Sequence, residues 1–205
     1  MLGNDVVDLD DAECGRGAHH PRFDARVFVD AERRAIDAAP EPDRMRWILW
    51  AAKESAYKAL RRRDRRAIFS PRRFRVDLDA GLCGRVHHPR GVLAVRIALR
   101  GRCVHAIAAL PWWRDAAVMS GVDRVAGADP SRAVRTLARA GLARRLELPT
   151  EAISIVQVGR VPQLRILGTR RSLPISLSHH GDYVAWACGL RLAPALSAAQ
   201  SGGLT

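Results

Sequence analysis

The sequence predicts an α+β fold built as two similar halves, each a helix packed on a small antiparallel sheet, with a pseudo-two-fold relation and a cleft between them. Three observations carry this expectation. A helical pattern followed by short extended runs occurs twice along the 205 residues. The runs VLAVRIALR and CVHAIAAL flank a Gly101-Arg102 turn, which reads as a hairpin. Between the two blocks, residues 114–129 collect Gly121 and Gly127 ahead of Pro130, the pattern of a linker or crossover loop.

In chain order, residues 3–9 (GNDVVDL) form a short β-branched strand entered from a glycine. Asp5 and Val7 share one of its faces and Asp8 lies on the other. A short helix is expected from Asp30 as N-cap through Asp37, stopped before Pro40, and a longer one over about Asp43 to Arg62. FRVDL and the hairpin then make a meander closed by Pro111-Trp112-Trp113. After the linker, Ser131 is the expected N-cap of a helix reaching about Leu148, with Val134, Leu137, Ala138, Leu142 and Leu146 at helical spacing. AISIVQV, QLRIL, LPISLSHH and YVAWACGL read as strands. The halves are therefore expected at 1–115 and 128–192, with a disordered tail at 193–205.

Bulk composition narrows the function classes. A formal charge of +13 implies polyanionic company, whether phosphate-bearing ligands, acidic protein surfaces or nucleic acid. Against nucleic acid, the chain lacks a zinc-finger pattern, an aromatic RNA-recognition signature and a clear helix-turn-helix. Cys14, Cys83, Cys103 and Cys188 are scattered without a Cys-x-x-Cys pair, so reduced core thiols are expected rather than a metal knuckle or disulfide framework. There is no signal-like segment at the N-terminus and no membrane-length apolar run, so the expectation is a cytoplasmic protein that does not engage a membrane.

Among 34 basic residues only two are lysines, and both fall in Lys53-Glu54-Ser55-Ala56-Tyr57-Lys58. A chain that uses arginine elsewhere keeps lysine where a compact ammonium is needed instead of a planar fork. On a helix Glu54 and Lys58 share a face, and Ala51, Ser55 and Ala59 form a small-residue stripe for close packing. Alone, this is also the pattern of an ordinary surface Glu/Lys pair worth about 0.2–0.5 kcal/mol. As chemistry, a carboxylate beside an ammonium suits a magnesium-bound phosphate ester, with Asp5 as the second acidic ligand. Near the C-terminus, Ser176-Leu177-Ser178-His179-His180-Gly181-Asp182 invites a Ser/His hydrolase reading. Ser178 sits in no Gly-x-Ser-x-Gly elbow, and neighbours on a strand point apart, so His179 is not placed to be its base. The pair serves better as donors to phosphate.

These three elements together resemble the 4′-phosphopantetheinyl transferase superfamily, which converts apo carrier proteins to the holo form. GNDVVDL is similar to its Gly-x-Asp strand, WAAKESAYKAL to its Trp/Phe-x-x-Lys-Glu-Ser/Ala-x-x-Lys signature, and LPISLSHHGDYVAWA to its Ser-His motif. The motif order is that of the small holo-acyl-carrier-protein synthases, and HPRFDARVFVDAE (His20 to Glu32) resembles their segment after the first strand. The length, and the helix RAVRTLARAGLARRL, resemble the two-half surfactin-synthetase-activating type. A large-type enzyme with permuted halves reconciles both, and implies a monomer with a complete active site in one chain.

The resemblance implies coenzyme A as co-substrate and Mg2+, with Mn2+ possible, as the metal. It makes Asp5 and Glu54 metal ligands, with Asp8 a further candidate beside water, and makes Asp5, Glu54 and Lys58 the catalytic set. Lys58 is the phosphate-contacting lysine and Lys53 the other lysine of the signature. Ser178 and His179 match coenzyme A contacts. Arg135 and Thr136 sit where the large type has a helix near the nucleotide, and Arg160 replaces the lysine of a Gly-Lys-Pro motif. An apo acyl or peptidyl carrier protein is the implied partner; Arg22 and Arg26 are candidates to meet its acidic helix, with Phe28 as an apolar contact and the Arg61-Arg62-Arg63 run as a solvated face. A basic nucleic-acid-binding protein and a non-catalytic coenzyme A-binding module remain the competing readings.

Overall fold

The computed structural model describes residues 1–15, 17–111, 118–127, 129–159, 161–169 and 172–189. Trp112, Trp113, Arg160 and the expected tail at 193–205 lie outside the described residues. The elements are β1 (Leu2–Asp8), α1 (Phe23–Val27), α2 (Asp30–Asp37), α3 (Pro42–Arg63), β2 (Arg75–Leu78), β3 (Cys83–His88), β4 (Gly91–Arg100) and β5 (Cys103–Ala109). They continue with β6 (Val118–Arg124), α4 (Pro130–Leu146), β7 (Ile153–Val158), β8 (Val161–Ile166), β9 (Leu173–His180) and β10 (Tyr183–Gly189).

Two five-stranded antiparallel sheets result, in the orders β1-β5-β4-β3-β2 and β6-β10-β9-β8-β7. Helix α3 lies on one face of the first sheet against β1 and β5, and α4 lies on the second sheet against β10. The other faces of β1 and β5 meet β9 and β10, so the layers run helix, sheet, sheet, helix. The α+β, two-half expectation matches this architecture.

Strand alternation makes β1 the hinge between the halves. Val7 joins the apolar cluster of α3 with Ala51, Ala52, Ala56 and Ala59. Leu2 packs instead with Ala187, and Val6 with Ala185, both of β10. A side chain at Gly3 would place its Cβ 2.2 Å from the Ser55 carbonyl oxygen and 2.5 Å from the Ala59 nitrogen. Glycine here, facing the small-residue stripe of α3, lets strand and helix touch backbone to backbone.

Helix α3 starts with Pro42 in its first turn and ends on Arg61, Arg62 and Arg63, which complement the carbonyl end of the helix dipole. Two expected N-caps shift, one by a residue and the other by two. Val29, not Asp30, precedes α2; Glu32 of the first turn accepts from the Val29 N–H at 2.9 Å. Asp129, not Ser131, caps α4, accepting from the Ser131 N–H at 2.9 Å just ahead of Pro130.

The expected linker is corrected too: Val118–Arg124 is β6, paired along its whole length with β10. Gly121 had signalled a loop, but a Cβ there would stand 2.6 Å from the Trp186 indole nitrogen. Glycine in this strand makes room for a fully buried tryptophan. The sheet of the second half therefore begins at 118 rather than 128. Strand β3 was also not expected, because CGRVHH lacks clean alternation; its register is supplied by β2 and β4. Cys14, Cys103 and Cys188 are buried thiols as expected, whereas Cys83 is exposed.

Candidate active site

The close approach at Gly3 brings the next outward residue of β1 onto the helix. Lys58 Nζ donates to Asp5 Oδ1 at 2.6 Å, with 31% of the Lys58 side chain and 10% of the Asp5 side chain exposed. Glu54, one helical turn before Lys58, interacts electrostatically with both. Burial, reinforced by the Asp5 carboxylate and only partly offset by Lys58, pushes the Glu54 carboxyl up to about 7. For Lys58, burial disfavours the charged form, but Asp5 and Glu54 outweigh it and hold its pKa above the ordinary lysine value. The result is a half-buried set of two carboxylates and one ammonium. Among the described residues, Glu54 has no hydrogen-bond donor.

That donor set fits a small divalent cation. Two carboxylates offer hard oxygen ligands, and burial of Glu54 makes its ionised form costly unless a cation joins it. Asp5 and Glu54 are the residues that would hold it.

Asp8 does not join them. It lies on the opposite face of β1, and its oxygens accept from the Asp10 N–H at 3.0 Å and the Asp182 N–H at 3.1 Å. Its carboxylate thus ties β1 to the β9-β10 turn, correcting its place among the metal candidates. His180, from the same turn, accepts the Asp8 N–H on Nδ1 at 3.2 Å. Its Nε2 therefore carries the ring proton and stands 3.9 Å from Glu13. Asp11, Glu13 and His180 come close enough to hold a cation, but that tautomer leaves the imidazole no lone pair to offer.

Lys53 is corrected more sharply. Its side chain is 0% exposed, and its ammonium meets both Glu32 oxygens at 2.8 Å, the Phe74 carbonyl at 2.5 Å and the Pro71 carbonyl at 3.2 Å. Glu32 also accepts from the Val29 and Val76 N–H groups. Burial lowers the Lys53 pKa against the pull of Glu32. Every donor of this ammonium is spent inside the first half, joining α2, α3 and the start of β2, so it is a structural tie and not a cofactor contact.

The Ser-His pair is split by strand alternation. Ser178 is buried between the sheets, where its Oγ accepts from Asn4 Nδ2 at 2.9 Å. Asn4 also bonds Ser176 through its backbone N–H at 2.9 Å and lies 3.3 Å from His105 Nε2. Burial, aided by Arg100 and Arg96, lowers the His105 pKa to about 4, so the ring is neutral. His179 is exposed and shares the parity of Ile175 and Leu177, which pack toward α4. On α4, Thr136 is exposed, and Arg135 donates to the Ser131 carbonyl at 2.7 Å and to Gln157 at 3.4 Å. His179, Arg135 and Thr136 therefore belong to the outer side of the second half, while Ser178 belongs to the interface. Asn4 was missed by sequence reasoning; its signal is its position beside Asp5 on a strand, which sends it to the opposite face.

Two surface expectations also resolve. Arg22 and Arg26 are exposed, but Phe28 is 0% exposed and packs with Val27, Ile36 and Leu49, so it offers no apolar contact to a partner. Arg62 does not belong to a solvated face. It donates to the carbonyls of Pro162 at 3.3 Å and of Ile175, and burial lowers its pKa to about 10. No helix among the described residues is long and apolar enough to cross a membrane.

In comparison with known proteins, residues 1–100 match the ACPS model of the 4′-phosphopantetheinyl transferase superfamily. No curated protein matches the chain. The matched stretch holds β1, α3 and the whole Asp5, Glu54 and Lys58 set. That match, together with the pair of helix-backed antiparallel sheets, supports the resemblance of the chain to the 4′-phosphopantetheinyl transferase superfamily.

Proposed function

We propose that the protein transfers 4′-phosphopantetheine from coenzyme A to a serine hydroxyl of an apo acyl or peptidyl carrier protein, releasing 3′,5′-ADP. The observation that carries this reading is the half-buried meeting of Asp5, Glu54 and Lys58 where β1 crosses α3. The serine oxygen forms a bond to the β-phosphorus of coenzyme A, and the bond from that phosphorus to the bridging oxygen of the nucleotide breaks.

Serine is a weak nucleophile at neutral pH and needs a base. The half-buried Glu54 carboxylate, on the helix face it shares with Lys58, takes the hydroxyl proton. Lys58, a point charge held by Asp5, meets a phosphate oxygen and stabilises charge on the transferring group. Mg2+ held by Asp5 and Glu54 would supply further neutralisation of phosphate charge. Lys58 and Glu54 act from the first half, and in this reading the second half of the same chain completes the coenzyme A site.

Incubation of an apo carrier with the protein, coenzyme A and Mg2+ should add about 340 Da to the carrier, the mass of the phosphopantetheine arm. An unmodified carrier despite bound coenzyme A would favour a non-catalytic module. Absence of coenzyme A binding, with a steeply salt-dependent shift of DNA, would favour the nucleic-acid reading. Sedimentation as an obligate trimer would overturn the single-chain site.

A further inference from the structure

The two halves touch extensively through β1, but α3, which carries Glu54 and Lys58, sends only one hydrogen-bonding side chain into the second half among the described residues. That side chain is Arg62. It follows Glu54 and Lys58 at four-residue steps, so all three occupy one face of the helix, spaced about 6 Å along its axis.

Its destination is a defect in the second sheet. Strands β8 and β9 pair only at Gln163 with Pro174 and Leu164 with Leu173. The next pair in register would be Pro162 with Ile175, and Pro162 has no N–H to give. Arg62 enters at that point and donates to the carbonyls of both residues, Pro162 on β8 and Ile175 on β9. A guanidinium, with its fork of fixed donors, spans two strands in a way a point charge does not. Among the described residues it meets no carboxylate. Burial of a cation without an acidic partner is a cost, visible as the lowering of its pKa to about 10. A salt bridge is not what keeps it there.

We propose that Arg62 is a positioning residue for the transfer reaction: its guanidinium closes the split between β8 and β9 and thereby holds the strand bearing Ser178 and His179 against the helix face bearing Glu54 and Lys58. Only Ser176 and Leu177 separate Ile175 from Ser178, too short a reach for β9 to shift at one point and stay put at the other. This inference rests on the proposed transfer, in which coenzyme A is gripped by both halves. Loss of the latch therefore weakens the grip on coenzyme A more than it slows chemistry within the first half.

The test compares wild type with Arg62→Ala and Arg62→Lys by carrier modification kinetics and by hydrogen exchange. In Arg62→Ala, KM for coenzyme A should rise about tenfold or more while kcat changes little, since binding rather than the transition state is impaired. Guanidinium ion at low millimolar concentration should restore much of the loss, and Arg62→Lys, which folds with a cation in place, should show the same KM defect in milder form. Exchange in peptides spanning 161–166 and 173–180 should quicken while 91–109 remains protected. Unchanged KM and exchange in both variants would overturn the proposal. So would a drop in kcat alone with faster exchange throughout the chain and no rescue, the signature of a merely structural arginine. If wild type modifies no carrier, the transfer reading fails, and the exchange arm still decides whether Arg62 joins the strands.

Discussion

The two faces of α3 use the same chemistry to opposite ends. On the inner face, Lys53 is fully buried with four acceptors around its ammonium, two of them from Glu32, and that carboxylate is itself held by two backbone N–H groups. On the other face, Lys58 keeps about a third of its side chain in solvent and spends one donor on Asp5, while Glu54 beside it has no hydrogen-bond donor among the described residues. A saturated ion pair and an unsaturated one thus lie five positions apart on one helix. The saturated pair can fix structure but has nothing left for a ligand. The unsaturated set has capacity for a cation, a phosphate and a proton.

The sharpest way to break this contrast is a pair of substitutions with crossed effects. Glu54→Gln should lower carrier modification by about 10²–10⁴-fold, the usual worth of a positioned base, with a denaturant midpoint no lower than that of wild type at neutral pH. Substantial residual turnover would remove Glu54 from that role. Lys53→Met should do the reverse. It leaves Glu32 buried and unpaired, a loss of about 3–5 kcal/mol in stability, whereas activity per folded molecule should persist. Urea unfolding reads the first quantity and active-fraction kinetics the second; a Lys53 variant that folds normally yet fails to bind coenzyme A would restore it to the site.

Lys58→Arg sharpens the comparison on the exposed side. A planar fork in place of a compact ammonium should cost about tenfold or more in kcat/KM, with little effect on stability, and near-normal kinetics would show that any cation suffices there.

Two smaller effects follow from titration. His105 is held at about 4 when folded and titrates near 6.5 when unfolded. Between those values the unfolded chain binds the extra proton, so stability should fall as pH drops from about 6.5 toward 4. His105→Gln should flatten that slope, and an unaltered pH profile would contradict a neutral buried ring. Glu54 has the opposite sign. Raised to about 7, it makes the metal-free fold lose stability as pH rises from about 4.5 through 7. Added Mg2+ should then raise the melting temperature at pH 8 by a few degrees and do little at pH 5, where the carboxyl is protonated; the same response in Glu54→Gln would place the metal elsewhere.

Much of the site on β1 and α3 was legible because both of its constraints are local. Period two puts Asp5 on a face without Asp8, and period 3.6 puts Glu54 above Lys58; neither depends on what packs against the strand or helix. The small-residue stripe of Ala51, Ser55 and Ala59 likewise announced a close neighbour, which proved to be Gly3. Strands β3 and β6 were not legible, since a strand with weak alternation is recognisable only through the partners that pair with it. The roles of Lys53, Ser178 and Arg62 were hidden for a related reason. Each is decided by acceptors or donors far away in sequence, at Glu32 and Phe74, at Asn4, and at Pro162 and Ile175.

By itself, then, the sequence determined the two-half α+β architecture and the face shared by Glu54 and Lys58, because backbone periodicity and residue size act over neighbouring positions. The tertiary structure alone decided which of the two retained lysines is free for a ligand, that Ser178 and His179 part company across β9, and that Arg62 ties the halves together. Those outcomes depend on desolvation and on hydrogen-bond partners that only folding brings within 3 Å or so of one another.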